Sequence, residues 1–178
     1  MTAPSLRFLF AHPAHFIACG LGSGLTTYAP GTAGTLFAWL TYPLLRLAYA
    51  GDGNFALFLA FMAVFGTWCI HVTGKHLGDA DHGAIVWDEI VPFWTVLMFV
   101  PPALSQSPHG LYFSAVGLGW QAEAFALFRL FDIVKPAPAS YFDRQVKNAV
   151  GVMMDDVVAA AYAILALAGS KLLTAHLM

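Results

Sequence analysis

Two adjacent carboxylate pairs, Asp88-Glu89 and Asp155-Asp156, are the residues best suited to chemistry in this 178-residue chain. Carboxylates about 4 Å apart repel by about 4 kcal/mol at an effective dielectric near 20. Several acids meeting in an apolar setting therefore call for a cation. Oxygen donors without a cysteine cluster suit a hard ion, Mg²⁺ ahead of Zn²⁺. The first pair closes the segment Asp81-His82-Gly83-Ala84-Ile85-Val86-Trp87-Asp88-Glu89, the one dense motif that also carries a histidine. Read as a helix, this segment puts Asp81 and Asp88 two turns apart on one face. An acid completing a helix dipole explains a single first-turn carboxylate, but not a group of them. The same dipole reading applies to Asp155-Asp156, which the sequence puts at the start of the last apolar run.

The opposite charge comes from Phe128-Arg129-Leu130-Phe131-Asp132-Ile133-Val134-Lys135-Pro136. Arg129, Asp132 and Lys135 recur every three residues, which predicts a shared helical face. Pro136 and Pro138 end that helix. Apolar neighbours bury its flanks, so the polar stripe is narrow and faces a site, where Arg and Lys suit phosphate. Upstream, Gly20-Leu21-Gly22-Ser23-Gly24 and Ala29-Pro30-Gly31-Thr32-Ala33-Gly34 form a glycine-rich, hydroxyl-bearing loop. Such a loop can offer backbone N–H groups to an anion, although it lacks the lysine of a P-loop. Of seven histidines, only His82 lies in a dense motif. His12, His15, His71, His76, His109 and His176 are expected to be interfacial or structural. Glu123, inside an apolar run, is expected to be an interior polar contact rather than a catalyst.

The elements that must position these groups are apolar. Charged residues make up 10% of the chain and hydrophobic ones 59%. Soluble domains carry about 25% charged residues, so this is a membrane protein by composition. Five apolar runs, 35–50, 54–72, 90–104, 111–128 and 157–177, are candidate helices, because lipid offers no partner to unpaired backbone groups. A span needs about 20 residues, so the first and third runs are short and are candidates for re-entrant or incompletely crossing segments. Gly51-Asp52-Gly53 predicts a tight turn between the first two. With the N-terminus inside and all five runs crossing, Arg7, Lys75, Arg129, Lys135, Arg144 and Lys147 fall on the cytoplasmic side. Only Arg46 and Lys171 lie toward the outside, in agreement with the positive-inside rule. Fourteen of the eighteen formally charged side chains then share the cytoplasmic face. The expectation is an all-α, compact, multi-pass bundle of about four to five apolar helices, one domain over 1–178, with its polar site at the cytoplasmic mouth. A net charge of −2 implies no nucleic-acid partner. Cys19 and Cys69 lack metal-ligand spacing and read as buried thiols. Residues 1–15 read as part of the mature chain rather than a signal peptide.

Four blocks, in order, resemble those of the phosphatidylglycerophosphatase A family. They are Gly22-Ser23-Gly24-Leu25 with Pro30-Gly31-Thr32-Ala33-Gly34; Asp81 through Glu89; Phe128-Arg129-Leu130-Phe131-Asp132 with Lys135-Pro136-Ala137-Pro138 and Asp143-Arg144; and Gly151-Val152-Met153-Met154-Asp155-Asp156. The resemblance runs from about residue 20 to residue 160. It departs at Pro92 and Ala160, each where the family has Gly, and at Asn148-Ala149, where it has a glycine pair. It implies a bacterial inner-membrane lipid phosphatase that removes the terminal phosphate of phosphatidylglycerophosphate, with Mg²⁺, to give phosphatidylglycerol.

On that reading Asp88, Glu89, Asp155 and Asp156 hold Mg²⁺, with Asp81 or Asp132 assisting. Arg129 and Lys135 bind the phosphate, helped by Ser23, Thr32 and Arg144. His82 is a candidate acid for the leaving oxygen. Water activated at a metal and a covalent aspartyl-phosphate both fit these residues. Two rival readings exist. A small ion-binding protein or transporter predicts polar groups spread along the spans, whereas here they gather at one mouth. A CDP-alcohol phosphotransferase requires a long spaced Asp/Gly/Ala-Arg motif that is missing from this sequence. Oligomeric state is not legible.

Overall fold

The protein is described from a computed structural model that covers residues 4–49, 51–107 and 110–177. Ala50, at the end of the first run, and His109, in the outer loop, lie outside the described residues. The chain is mostly helical. Short helices α1 (Leu6–Ala11) and α2 (Pro13–Ala18) lead into a 3-10 segment, Gly20–Leu25. Then come α3 (Pro30–Ala48), α4 (Asp52–Leu77), α5 (Trp87–Leu97), a β-hairpin of β1 (Leu104–Ser107) and β2 (Gly110–Phe113), α6 (Ala115–Val134), α7 (Ala139–Gln145) and α8 (Ala149–Leu177).

Local signals account for most boundaries. Ser114 caps α6 by accepting the Gly117 N–H at 3.0 Å. Asn148 caps α8 by accepting from Val150 and Gly151 at 2.9 and 3.1 Å. Asn148 stands where the resemblance implied a glycine, and here it supplies a cap. Gly51, at φ +95, breaks the chain between α3 and α4, and Asp52 already belongs to α4 rather than to a turn. Gly78 ends α4 in the left-handed conformation.

Among the described residues two helices, α4 and α8, are long and apolar enough to cross a membrane. With 26 residues α4 is about 39 Å long, against a hydrocarbon core of about 30 Å. The third expected span takes another form. Its helix, α5, has 11 residues and reaches only about 16 Å, roughly half a bilayer core. Beyond it the chain passes Pro101-Pro102 into the hairpin, which takes in the ends of both the third and fourth runs.

α5 is the centre of the molecule. Nine of its eleven residues are buried, with α3, α4, α6 and α8 packed around it. Trp94 donates to the Ala38 carbonyl of α3 at 2.8 Å, and Trp87 donates to the Met62 carbonyl of α4 at 3.2 Å. Tyr42 donates to the Leu97 carbonyl at 3.0 Å. Gly66 permits the α4 contact, since a Cβ there would stand 2.1 Å from Trp87 Cδ1. Helices surrounded by lipid are held by such close packing and interhelical hydrogen bonds more than by apolar burial. This packing fixes the N-terminal end of α5, which carries Asp88-Glu89.

Candidate active site

The stretch from Asp79 to Val86 is not helical, so Asp81 and Asp88 do not share a helix face as expected. It is held by the Ile85 N–H on the His82 carbonyl at 2.7 Å and the Val86 N–H on the Ala18 carbonyl at 2.9 Å. α5 begins only at Trp87, which leaves Asp88 and Glu89 in its first turn. The glycine-rich loop packs directly on this stretch. A Cβ on Gly24 would stand 2.2 Å from the Ala84 carbonyl oxygen, and one on Gly34 would stand 2.7 Å from Val86 Cβ. These glycines therefore serve close approach of backbones rather than an anion cradle.

Two chains of charge meet beside Asp88. In the first, Arg129 Nη1 lies 3.0 Å from Glu89 Oε2 and 2.6 Å from Asp132 Oδ2. The fully buried Thr35 hydroxyl sits between them, 3.3 Å from Glu89 Oε2 and 3.5 Å from Arg129 Nη1, and donates to the Gly31 carbonyl at 2.9 Å. In the second, Lys135 Nζ bridges Asp143 Oδ1 at 2.7 Å and Asp155 Oδ2 at 2.5 Å. Lys135 is not on the Arg129–Asp132 face. It caps α6 in the left-handed conformation at φ 45, one residue before Pro136, and this swings its amine toward α7 and α8. Asp155 and Asp156 lie in the second turn of α8, not at its start, so helix-dipole completion does not account for them. They are 5% and 3% exposed.

The electrostatics are unbalanced. Asp88, Glu89, Asp132, Asp143, Asp155 and Asp156 outnumber Arg129 and Lys135, the two cations that pair with them, and Lys147 and Arg144 add positive charge only near Asp143. Burial pushes the Asp88 carboxyl well above the usual range, with Glu89, Asp155 and Asp81 adding to the shift. Burial also raises Glu89 to about 7, against the opposing pull of Arg129. Burial lowers the affinity of the Lys135 amine for its proton, but its hydrogen bonds to Asp143 and Asp155 outweigh this and leave it firmly charged. The hydrogen bond from Lys135 holds Asp143 below the usual carboxylate range.

Asp88 Oδ1 and Asp156 Oδ1 are buried with no hydrogen-bond partner. A buried polar atom without a partner is costly. Unpaired oxygens, an oxygen-only donor set and surplus negative charge together fit a hard divalent cation. As the side chains stand, no three His, Cys, Asp or Glu residues among those described converge tightly enough to enclose one. A crevice of about 50 Å³ reaches this region, lined by Asp79, Asp81, Asp143, Lys147 and Asp155.

The structure thus brings together Asp88, Glu89, Arg129, Asp132, Lys135, Asp155 and Asp156, with Asp81 at the crevice. It leaves other expected residues apart. Ser23 spends its hydroxyl on the Gly20 carbonyl at 2.8 Å. Among the described residues, Thr32 makes no side-chain hydrogen bond to the cluster, and Arg144 is exposed with no ion pair. His82 accepts the Ala84 N–H on Nδ1 at 3.1 Å and, among the described residues, has no bond to the carboxylates. Two residues were missed. Thr35 counted as the first residue of an apolar run, although it stands one helical turn after Gly31. Asp143 appeared in a matching block but received no role. Glu123 is an interior contact as expected, accepting from Ser170 at 2.6 Å.

Comparison with known proteins gives the family of the chain. The family model for phosphatidylglycerophosphatase A matches residues 16–171. A phosphatidylglycerophosphatase A of Haemophilus influenzae is 39% identical over 91% of this chain and 91% of its own length. One of Escherichia coli is 35% identical over 86% of this chain and 80% of its own. A Bacteroides thetaiotaomicron protein named provisionally as a phosphatidylinositol-3-phosphatase is 35% identical over 87% of this chain and 91% of its own. No solved structure matches the chain significantly. All the charged residues that converge on Asp88 lie within the matched span, and the chain belongs to the phosphatidylglycerophosphatase A family of phosphatases.

Proposed function

We propose that this protein hydrolyses the terminal phosphate of phosphatidylglycerophosphate, giving phosphatidylglycerol and phosphate, with Mg²⁺ held by Asp88, Asp156, Glu89 and Asp155. The observation that carries this reading is the pair of buried, unpartnered oxygens, Asp88 Oδ1 and Asp156 Oδ1, in a cluster with surplus negative charge. Mg²⁺ bound there would supply charge for a phosphoryl oxygen and a more acidic bound water. The chain's own residues do the rest. Arg129 keeps one donor, Nε, buried without a partner, which is available to a phosphate oxygen. Lys135 holds Asp155 and Asp143 in place and adds a second positive charge beside the crevice. Thr35 and Arg129 together fix the Glu89 carboxylate. His82 accepts a backbone N–H on Nδ1, so its ring proton sits on Nε2, from which it can donate a hydrogen bond to the departing glycerol oxygen. Asp81, at the crevice, and Asp132, paired with Arg129, assist. The attacking oxygen belongs to a water or to an aspartate, and trapping of an aspartyl-phosphate separates the two.

The same reading puts the protein in the bacterial inner membrane as a multi-pass chain with this site at the cytoplasmic face, within reach of its lipid substrate. The transporter reading loses support because Gln121 and Glu123 are engaged locally, by Trp39 at 2.8 Å and Ser170 at 2.6 Å, rather than strung along a path. The test is phosphate release by purified protein from a panel of lipid phosphates in detergent. Phosphatidylglycerophosphate should be turned over at least about tenfold faster than phosphatidic acid or phosphatidylinositol 3-phosphate, a difference of about 1.4 kcal/mol in barrier. A preference for phosphatidylinositol 3-phosphate would reassign the substrate.

A further inference from the structure

At the end of the bundle away from the carboxylates lies a cavity of about 270 Å³, lined by Tyr42, Pro43, Arg46, Gln121, Leu104 and Leu111 among others. Arg46 is about 16 Å along α3 from Thr35, and Tyr42 reaches the C-terminal carbonyl of α5 rather than its acidic first turn. The cavity is therefore separate from the site above. Two of its polar groups, Arg46 and Gln121, have donors to spare. Arg46 Nη2 pairs with Asp52 at 2.7 Å, but Nη1 is buried without a partner. Asp52 is 81% exposed, so water screens its charge and leaves much of the Arg46 field inside the cavity. Gln121, only 2% exposed, accepts the Trp39 indole N–H on Oε1. An indole nitrogen can only donate, which fixes the amide orientation and leaves the Gln121 NH₂ as a second donor. Tyr42 donates its hydrogen to the Leu97 carbonyl and adds no donor to the cavity.

Unspent donors around one cationic group call for an anionic oxygen ligand. The surroundings say what carries it. Leu40, Leu44 and Leu47 on α3, and Leu104, Leu111 and Phe113 on the hairpin, are all exposed. An anion reaching this cavity along that surface comes with apolar chains attached. We propose that the cavity binds the phosphodiester headgroup of an anionic phospholipid, with Arg46 Nη1 and the Gln121 amide on the phosphate oxygens and the acyl chains along the exposed leucines. This is a second lipid site, distinct from the hydrolytic one.

The test titrates purified protein in detergent with short-chain dihexanoyl phosphatidylglycerol and reads the apparent affinity from the rise in unfolding temperature. Arg46→Gln should weaken binding by about tenfold or more, the loss expected for one hydrogen bond to a charged group. Leu104→Trp, which fills the cavity and leaves Arg46 in place, should weaken it as well. Arg129→Gln, which disables the phosphate donor at the other site, should bind as wild type does. Wild-type affinity in both Arg46→Gln and Leu104→Trp overturns the proposal, as does loss of binding in Arg129→Gln. Equal affinity for free glycerol phosphate overturns the lipid assignment. Equal affinity for uncharged dihexanoylglycerol overturns the role given to Arg46.

Discussion

Replacing Gly31 by Ala tests the geometry around Glu89 with a single methyl group. A Cβ at this position would stand 1.9 Å from Glu89 Oε1 and 2.7 Å from Cδ, where real contacts stay at 3.0 Å or beyond. The atom in the way ends a flexible side chain, so the carboxylate retreats by about 1 Å or more and the backbone stays in place. In retreating it leaves Arg129 at 3.0 Å and Thr35 at 3.3 Å. Alanine is also a better helix former than glycine, by up to about 1 kcal/mol, which offsets part of the strain. Stability should therefore change little. Activity should fall about 100-fold, because a shift of roughly 1 Å in a group that positions the reaction has that effect. The assay is release of inorganic phosphate from phosphatidylglycerophosphate in detergent, with unfolding temperature measured on the same preparation. Gly53→Ala, whose Cβ would meet nothing within 4 Å, is the control and should match wild type. Glu89→Gln should itself be nearly inactive, and adding Gly31→Ala to it should cost little more, since both act through one carboxylate. A Gly31→Ala enzyme within about threefold of wild-type turnover, less than 1 kcal/mol in barrier, would refute the positioning of Glu89.

Two further predictions separate chemistry from fold and fix the orientation. Asp88→Asn and Asp156→Asn keep shape but remove a carboxyl assigned to the metal and costly to ionise where it is buried, so both should abolish turnover while the metal-free protein melts at the wild-type temperature or slightly above it. Asp52→Asn, at the exposed far end, should leave turnover near wild type; an inactive Asp52→Asn beside active Asp88→Asn and Asp156→Asn would move the site to the other face. With buried Cys19 and Cys69 replaced by Ala, a cysteine at exposed Gln145 should be shielded from an impermeant thiol reagent in intact cells and one at Gly53 should react. Labelling of Gln145 from outside would reverse the proposed topology.

The clustering of these side chains was legible because charge is expensive in an apolar chain. Where few charged residues are retained, those that cluster announce a site, and Asp88, Glu89, Arg129, Asp132, Lys135, Asp155 and Asp156 all proved to be neighbours. What failed was inference that needed an unbroken helix. Periodicity put Asp81 on the Asp88 face and Lys135 on the Arg129 face. Yet the chain before Trp87 is irregular, held by backbone bonds to His82 and Ala18 that no periodicity signals. Lys135 leaves its helix because Pro136 stops it, and so finds Asp143 and Asp155 instead. Thr35 was hidden by its apolar neighbours, although a hydroxyl buried beside a glycine-rich helix start is a recognisable signal. The hairpin escaped notice because its apolar residues, Leu104 and Leu111 to Phe113, are the tips of two runs that suit a strand as well as a helix end.

The most direct measurement of the central claim is phosphate release from phosphatidylglycerophosphate by protein stripped of metal, verified metal-free, and then titrated with Mg²⁺. The surplus of carboxylate charge around Asp88 Oδ1 and Asp156 Oδ1 predicts no turnover in the stripped enzyme and saturable recovery with Mg²⁺, absent in Asp88→Asn and Asp156→Asn. Full turnover by verified metal-free protein would contradict it.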